Sequence, residues 1–267
     1  MSDVSTDSAF AGAPPSEMPR ARGARLGVTR TRRVVLGRLS AEERRALCAQ
    51  AYAIYASFKR GVDRATFEAA FFADDEARVA LFYGEDDAFA GFAAASIHRV
   101  AHGGKEHAVY GALLFIDGRY KGTREASLFA LSEALRFKLR EPLTPLAYLG
   151  VTTSPASYRM FAVTMPTFYP TRRGPVPADV EAVAREAARA RGLTFVDAER
   201  WLVRGLGAPL EPERLRRART LQDDPDARFY LEQNPGFDEG TALLLWVPLT
   251  VGNICGALVR RLFGDER

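Results

Sequence analysis

The sequence has little of the chemistry on which many functional sites depend. It contains two cysteines, Cys48 and Cys255, and three histidines among 267 residues. No CxxC pair and no Cys/His ligand spacing occurs, which excludes the common zinc motifs and a disulfide framework. We therefore expect two thiols in a reducing cytoplasm, no metal ion, and a cytoplasmic protein.

Long unbroken apolar runs are also missing. The most apolar stretch, Thr241 to Phe263, is interrupted by Pro248, Gly252, Asn253 and Gly256. A buried strand at Leu243 to Leu249 followed by a helix from Val251 to Phe263 explains it better than a membrane span. The N-terminal residues lack the apolar core of a secretory signal, so we expect neither a span nor a signal.

The excess of positive charge is small and local. The net charge is +4, and many basic residues lie near the N-terminus: Arg20, Arg22, Arg25, Arg30, Arg32, Arg33 and Arg38. Residues 1–30 are rich in Ser, Ala, Gly, Pro and Arg and have no periodic apolar spacing, which predicts a disordered basic arm. Such an arm is most often a solvated tail, and we expect no nucleic-acid partner.

Apolar periodicity predicts β-α-α-β-β-β-α-β-α over residues 31–173. The expected strands are Arg33–Leu39, Arg78–Tyr83, Ala88–Val100, Ala108–Ile116 and Leu146–Thr152. The expected helices begin at Ser40 (with Glu43 completing a capping box), at Arg64, after Ile116 and at Ser154-Pro155. This order combines an antiparallel meander with a βαβ crossover, so the predicted class is α/β (α+β) with a mixed sheet.

Two further expectations concern helix packing and the C-terminal residues. The helix after Ile116 is expected to bury one face, formed by Leu128, Leu131, Leu135 and Leu139. Residues 174–267 are expected to form an extension that packs on the same sheet or forms a small subdomain. Its predicted elements are a helix at Ala178–Ala190, a strand near Leu193–Val196, an arginine-rich helix at Glu211–Arg219, the strand Leu243–Leu249 and the helix Val251–Phe263.

The loop between the strand ending at Ile116 and the following helix carries the strongest functional signal. It reads Asp117-Gly-Arg-Tyr-Lys-Gly-Thr-Arg124. Glycine and cationic side chains at the junction of a strand and a helix N-terminus suit a phosphate or pyrophosphate. The free N–H groups of the first helical turn point outward, and the helix dipole favours an anion there.

This loop, placed after the fourth strand of that element order, resembles the GCN5-related N-acetyltransferase family, whose motif is Arg/Gln-x-x-Gly-x-Gly/Ala. The residues at the motif positions are Arg119, Tyr120, Lys121, Gly122, Thr123 and Arg124, and Arg124 stands where the family has a small residue. The resemblance implies that they hold the pyrophosphate of acetyl-CoA or another acyl-CoA. It also implies that the backbone of Leu114, Phe115 and Ile116 aligns the pantetheine and polarises the thioester carbonyl.

The family's proton donor has no direct counterpart here. Aligning Ser154 to Phe161 with the family's Asn-x-x-Ala-x-x-Leu-Tyr places Phe161 at the tyrosine position, and Phe cannot donate a proton. Tyr158, one turn earlier on the same face, is the substitute that the resemblance suggests. Its alternative is a tyrosine packed against the sheet.

No general base stands out in the sequence. The three histidines, His98, His102 and His107, flank the Gly103-Gly104 turn, at the opposite end of a hairpin from the loop. Over about nine residues that is on the order of 30 Å, so we expect neither a metal nor a catalytic histidine site there. The acidic candidates near the loop are Glu85, Asp86 and Asp117.

The resemblance therefore implies transfer of an acyl group, expected to be acetyl, from acyl-CoA to a small-molecule or peptide amine by direct attack. One alternative is a long-chain N-acyltransferase that takes its donor from acyl carrier protein. Another is an acyl-CoA-binding module without catalysis. The aromatic residues of the extension would cover an acceptor groove, accommodate a long acyl chain, or complete the core. They are Trp201, Phe229, Tyr230, Phe237, Trp246 and Phe263.

Overall fold

The computed structural model describes residues 26–121, 123–210, 221 and 223–263. Its strands are β1 (Leu26–Gly27), β2 (Arg30–Val35), β3 (Lys59–Arg60), β4 (Arg78–Tyr83), β5 (Phe89–His102), β6 (Lys105–Ile116), β7 (Tyr120–Lys121), β8 (Leu146–Thr152), β9 (Phe195–Asp197), β10 (Leu202–Arg204), β11 (Ala208–Pro209) and β12 (Thr241–Pro248). Its α-helices are α1 (Ala41–Ala56), α2 (Arg64–Phe71), α3 (Thr123–Arg140), α4 (Pro155–Thr164), α5 (Ala178–Ala190), α6 (Pro225–Gln233) and α7 (Val251–Phe263).

Helix starts agree with the local signals in the sequence. Ser40 accepts a hydrogen bond from the Glu43 N–H while the Glu43 carboxylate accepts one from the Ser40 N–H, which is the predicted capping box. Ser154 caps α4, and Pro155 occupies its first position. Each cap satisfies N–H groups that have no partner inside the helix, which fixes where the helix begins.

Eight strands form one mixed sheet in the order β2-β4-β5-β6-β8-β12-β10-β9. Strands β2, β4, β5 and β6 pair antiparallel as a meander, and β6 pairs parallel with β8 across the α3 crossover. The predicted α/β class with a meander and a βαβ crossover is confirmed.

Helices cover both faces of this sheet. On one face Tyr110 of β6 packs under α3, and its hydroxyl donates to the Ala130 carbonyl. On the other face Phe115 of β6 packs with Tyr55 of α1, and α5 lies against β5 and β8. The opposite sides of β6 therefore face different helix layers, which separates two possible entrances to any site on this strand.

The predicted buried face of α3 is wrong. Its four leucines, Leu128, Leu131, Leu135 and Leu139, are 37–75% exposed. The buried face is instead formed by Ala126, Phe129, Ala134 and Phe137. Both faces of α3 carry apolar residues, and the sheet beneath presents small side chains such as Ala93, Ala95 and Ala108. Two phenylalanine rings fill the space above those alanines, so the aromatic face is the one that packs.

Two predictions near the N-terminus need correction. Residues 26–30 do not continue the disordered arm, because β1 pairs in parallel with β7 and Arg30 begins β2. The Leu26 N–H donates to the Arg119 carbonyl. Residues 1–25 lie outside the described part. The first strand also ends earlier than predicted, at Val35, and a short 3-10 helix, Leu36–Arg38, follows.

The C-terminal residues extend the sheet rather than stand apart from it. Strand β12 pairs antiparallel with β8 from Leu243 to Pro248, and β10 and β9 follow outward. Helix α6 packs on α4 through Tyr230 and Tyr158. The arginine-rich helix predicted at Glu211–Arg219 lies outside the described residues, and the division into domains at residue 174 stays a prediction.

Candidate functional site

Strands β6 and β8 pair over only three residues and then separate. The register joins Ala108 to Leu146, Val109 to Ala147 and Tyr110 to Tyr148. Beyond these pairs β6 stays paired with β5 on its other side as far as Ile116, and β8 stays paired with β12. The result is an opening in the sheet, bounded by Gly111–Ile116 on one side and Leu149–Thr152 on the other. We call this feature the β6–β8 opening.

Backbone groups of β6 that would continue the ladder face this opening. The Ala108 N–H donates to the Pro145 carbonyl on the β8 side (2.8 Å), and the Asp117 N–H donates to Ala90 on the β5 side (2.9 Å). Because successive residues of a strand turn their N–H groups to opposite neighbours, even-numbered residues face β8 and odd-numbered residues face β5. The N–H groups of Ala112 and Leu114 therefore point into the β6–β8 opening, where β8 no longer receives them.

Tyr148 enters the opening from the side of α3 and α4. Its ring stacks on Phe161 of α4 (5.5 Å between centroids, 17° between planes), and its hydroxyl donates to the Ala112 carbonyl at 3.4 Å. Gly150 leaves the room for this ring, because a Cβ there would lie 2.7 Å from Tyr148 Cζ. Burial raises the pKa of Tyr148 to about 12, so the phenol is protonated at neutral pH.

Arg191 enters the opening from the opposite side. It follows the last residue of α5, and its Nη1 donates to the Leu149 carbonyl at 3.0 Å. If the parallel ladder continued, the Ala112 N–H would donate to the Leu149 carbonyl. The guanidinium thus stands where the β6–β8 ladder would go on, facing Tyr148 across the gap in the sheet.

A serine and a histidine lie on the Arg191 side of the sheet. Ser96 is directly opposite Gly111, and His98 is directly opposite Val109. Ser96 Oγ and His98 Nε2 are 3.2 Å apart. Burial lowers the pKa of His98, and the charge of Arg191 lowers it further, so this imidazole is neutral at pH 7. The expectation of no catalytic histidine depended on the distance from the histidines to the loop after Ile116. Ser96 and His98 lie instead beside the other end of the opening, next to Gly111 and Val109.

The loop at the other end of β6 is held by its own ion pair. The Asp117 carboxylate accepts from the Arg119 N–H (2.9 Å) and from the Arg119 guanidinium (2.8 Å to Nη2). Burial acts to raise the pKa of Asp117, but the hydrogen bonds and charge of Arg119 outweigh it and lower the pKa below its usual value. Asp117 is thus engaged as an anion that organises the turn, which does not suit it as a general base.

The remaining loop residues lead into α3. Tyr120 packs over Gly84, where a Cβ would lie 3.0 Å from Tyr120 Cζ. Tyr120 and Lys121 form β7, and Thr123 begins α3, with Arg124 in its first turn. Gly122 lies outside the described residues. The predicted loop leads directly into the N-terminus of α3, an arrangement that favours an anion.

Some of the predicted site residues face the β6–β8 opening, and others face away from it. Leu114 and Ile116 direct their backbone toward the opening, whereas Phe115 pairs with Phe92 of β5 and packs its ring against Tyr55. Tyr158 is fully buried among aromatic rings, and its hydroxyl donates to the Pro170 carbonyl at 3.1 Å. Because it packs away from the opening, the structure gives no support to Tyr158 as the proton donor.

Four residues of this geometry were not predicted from the sequence: Ser96, Ala112, Tyr148 and Arg191. Tyr148 reads as an ordinary strand residue and Arg191 as the end of an alanine-rich helix. Gly111 and Gly150, which make room for the two side chains, are the one local signal that marks these positions. Nothing in the sequence alone connects Arg191 with β6.

Two other site classes find no support in the described residues. No group of three or more His, Cys, Asp or Glu side chains is arranged to hold a metal ion in that part of the chain. In the same residues, none of the helices combines the length and the apolarity that crossing a bilayer requires.

Comparisons with known proteins find similar solved structures. Neither a protein-family model nor a curated protein matches the sequence. One solved structure, assigned as a phosphinothricin N-acetyltransferase, matches 55% of this chain and 90% of its own at 15% identity, with a TM-score of 0.33. A GCN5-related N-acetyltransferase from Kribbella flavida matches 56% of this chain and 88% of its own at 14% identity, with a TM-score of 0.34. Both matches cover rather more than half of this chain.

Proposed function

We propose that this protein is an acyl-CoA-dependent N-acyltransferase, with acetyl-CoA as the expected donor and a small-molecule or peptide amine as acceptor. The observation that carries the proposal is the β6–β8 opening. It joins the predicted anion-binding loop at the N-terminus of α3 to a partly buried, protonated tyrosine along a strand edge that β8 does not cover.

The edge of β6 suits the extended arm of a coenzyme A thioester. Ala112 to Ile116 spans about 14 Å of extended strand, and the opening side of this stretch offers both N–H and carbonyl groups. The two amides of pantetheine can pair with such an edge as a further strand does. With Arg119 and the start of α3 at the pyrophosphate, the thioester would reach Ala112.

The groups around Ala112 suit acyl transfer by direct attack. As the amine nitrogen forms a bond to the carbonyl carbon, the carbon–sulfur bond breaks, the amine loses a proton and the departing thiolate gains one. The Ala112 N–H would donate to the carbonyl oxygen where negative charge develops, an interaction worth about 3 kcal/mol. Tyr148 would give its proton to the thiolate, and the neutral His98, through Ser96, would accept the proton of the amine.

Thermal stabilisation by CoA, acetyl-CoA and long-chain acyl-CoAs tests the binding half of the proposal. A ligand at one hundred times its dissociation constant is expected to raise the free energy of unfolding by about 2.7 kcal/mol. Arg119→Gln is expected to weaken binding about tenfold, which reduces that stabilisation by about 1.4 kcal/mol. The matched control is Arg200→Gln, which likewise removes a half-exposed arginine paired with an aspartate nearby in sequence.

The outcomes separate the candidate functions. No stabilisation by any of these ligands contradicts the proposal and the acyl-CoA-binding alternative together. Stabilisation without thiol release across a panel of amines favours the binding module. A stabilisation that grows with acyl chain length favours the long-chain alternative over acetyl transfer.

A further inference from the structure

Arg191 is fixed in place by the end of α5. Its own N–H closes the last turn by donating to the Ala187 carbonyl, and Gly192 then turns the chain away at a φ of +69°. A left-handed residue directly after the helix is the usual way to end it, and glycine adopts that conformation without strain. The side chain of Arg191 therefore leaves the helix in a defined direction, toward the β6–β8 opening.

Gly111 provides the space that the guanidinium fills. A Cβ built on Gly111 would lie 2.6 Å from Nη2 and 2.8 Å from both Cζ and Nη1 of Arg191. The planar group thus lies flat against the backbone of β6, next to the residue whose N–H faces the proposed thioester. Any side chain at position 111 would push the guanidinium out of the opening.

The charge of Arg191 has no counter-ion in the described part of the chain. None of the ion pairs found there includes it, and burial lowers its pKa without any carboxylate acting in the opposite direction. Its hydrogen bond to Leu149 engages one of five N–H donors. By contrast, Arg159 and Arg172 are paired with Asp224 and Asp226.

A partly buried cation without a paired anion is costly, and a bound carboxylate would reduce that cost. We infer that Arg191 binds the carboxylate of a substrate at the β6–β8 opening. We expect the acceptor to carry this carboxylate, so that the acceptor is an amino acid or another amine with a carboxylate close to its nitrogen. This inference rests on the proposed acyl transfer. The side of the sheet supports the acceptor, because Arg191, Ser96 and His98 lie opposite the face that holds α3, whose N-terminus would bind the donor's pyrophosphate. The planar fork of arginine matches the two oxygens of a carboxylate.

The test compares amino acids with their amides, which keep the amine and lose the charge. In the wild type, with acetyl-CoA, we expect kcat/KM for the best amino acid to exceed that for its amide by at least about 30-fold. Arg191→Gln is expected to lower kcat/KM for the acid about 30-fold, chiefly through KM, and to leave the amide within about threefold, since a hydrogen bond to a charged group contributes about 2 kcal/mol. Arg189→Gln, two residues earlier and exposed on the same helix, is the matched control.

Gly111→Ala gives a second variant in which Arg191 remains but is displaced. It is expected to reproduce the loss seen for the acid, because the flexible guanidinium moves more readily than the strand. Gly252→Ala is its control, since a Cβ at that exposed helical position meets nothing within 4 Å. Equal use of acids and amides by the wild type, or an unchanged preference in both Arg191→Gln and Gly111→Ala, would overturn the inference while leaving acyl transfer intact.

Two further experiments show which substrate carries the carboxylate and test the inference independently of the proposed function. Succinyl-CoA compared with butyryl-CoA shows whether Arg191 selects a carboxylate on the acyl group rather than on the acceptor. If no transfer occurs at all, calorimetric titration of the CoA-saturated protein with the same acids and amides still tests whether Arg191 binds a carboxylate. Acid-specific binding that Arg191→Gln abolishes supports the carboxylate site without the activity, and binding of neither contradicts both.

Discussion

Tyr148→Phe is expected to lower kcat about 100-fold and to leave the affinity for acetyl-CoA nearly unchanged. The substitution removes one hydroxyl, which points at the Ala112 carbonyl inside the β6–β8 opening, and keeps the ring that stacks on Phe161. A positioned proton donor contributes about 10²- to 10⁴-fold to a rate. Because the pKa of Tyr148 is about 12, its ionisation should not reduce activity below about pH 11. Steady-state kinetics and calorimetric titration with acetyl-CoA measure the two effects separately.

Tyr158→Phe is the decisive comparison, since Tyr158 is the substitute that the resemblance suggests for the family's tyrosine, whereas the proposed mechanism uses Tyr148. The Tyr158 hydroxyl is buried and donates to the Pro170 carbonyl. Its removal is expected to cost about 1 kcal/mol of stability and to leave kcat within about twofold. A large loss of kcat in Tyr158→Phe with normal kinetics in Tyr148→Phe would reverse the assignment of the acid.

Gly91→Ala is expected to lower the free energy of unfolding by about 3 kcal/mol and to weaken binding of CoA. Gly91 pairs with Ile116 at the end of β6 and has a φ of +156°. A Cβ there would run into the Phe115 carbonyl and lie 2.8 Å from the Ile116 Cα. These are backbone atoms, so the strands must separate where the loop begins. Denaturant unfolding and titration with CoA measure both losses.

The control for this substitution is Gly174→Ala. Gly174 does not have a positive φ, and a Cβ there meets nothing within 4 Å. We expect its unfolding free energy to stay within about 0.5 kcal/mol of the wild type. A Gly91→Ala protein of normal stability would show that β5 and β6 are less tightly paired at Ile116 than the register indicates.

Features fixed by neighbouring residues could be predicted from the sequence. The capping box at Ser40 and Glu43, the proline at the start of α4, and the strand Leu146–Thr152 depend on residues within a few positions of one another. The position of the loop after β6 follows from the same kind of signal, because a strand, a glycine-rich turn and a helix are contiguous there. These local signals were enough to predict the order of strands in the meander and the crossover.

Features that depend on distant parts of the chain could not be predicted. Leu128 and Leu135 fit a helical stripe as well as Phe129 and Phe137 do, and the alanines of the sheet, about thirty residues away, decide which face packs. The contact between Arg191 and Gly111 joins residues eighty positions apart. The contact forms because α5, which belongs to the C-terminal extension, packs against β5 and β8 of the sheet.

The most direct test of the β6–β8 opening as the acyl-CoA site is residue-resolved amide hydrogen exchange by NMR. Without ligand, the amides of Ala112 and Leu114 are expected to exchange at least about 100-fold faster than those of Leu113 and Phe115, whose N–H groups face β5. Saturating acetyl-CoA is expected to slow exchange at Ala112 and Leu114 at least about tenfold and to change Leu113 and Phe115 little. Unchanged exchange at Ala112 and Leu114 in the saturated protein would contradict the account, because the donor would then bind elsewhere.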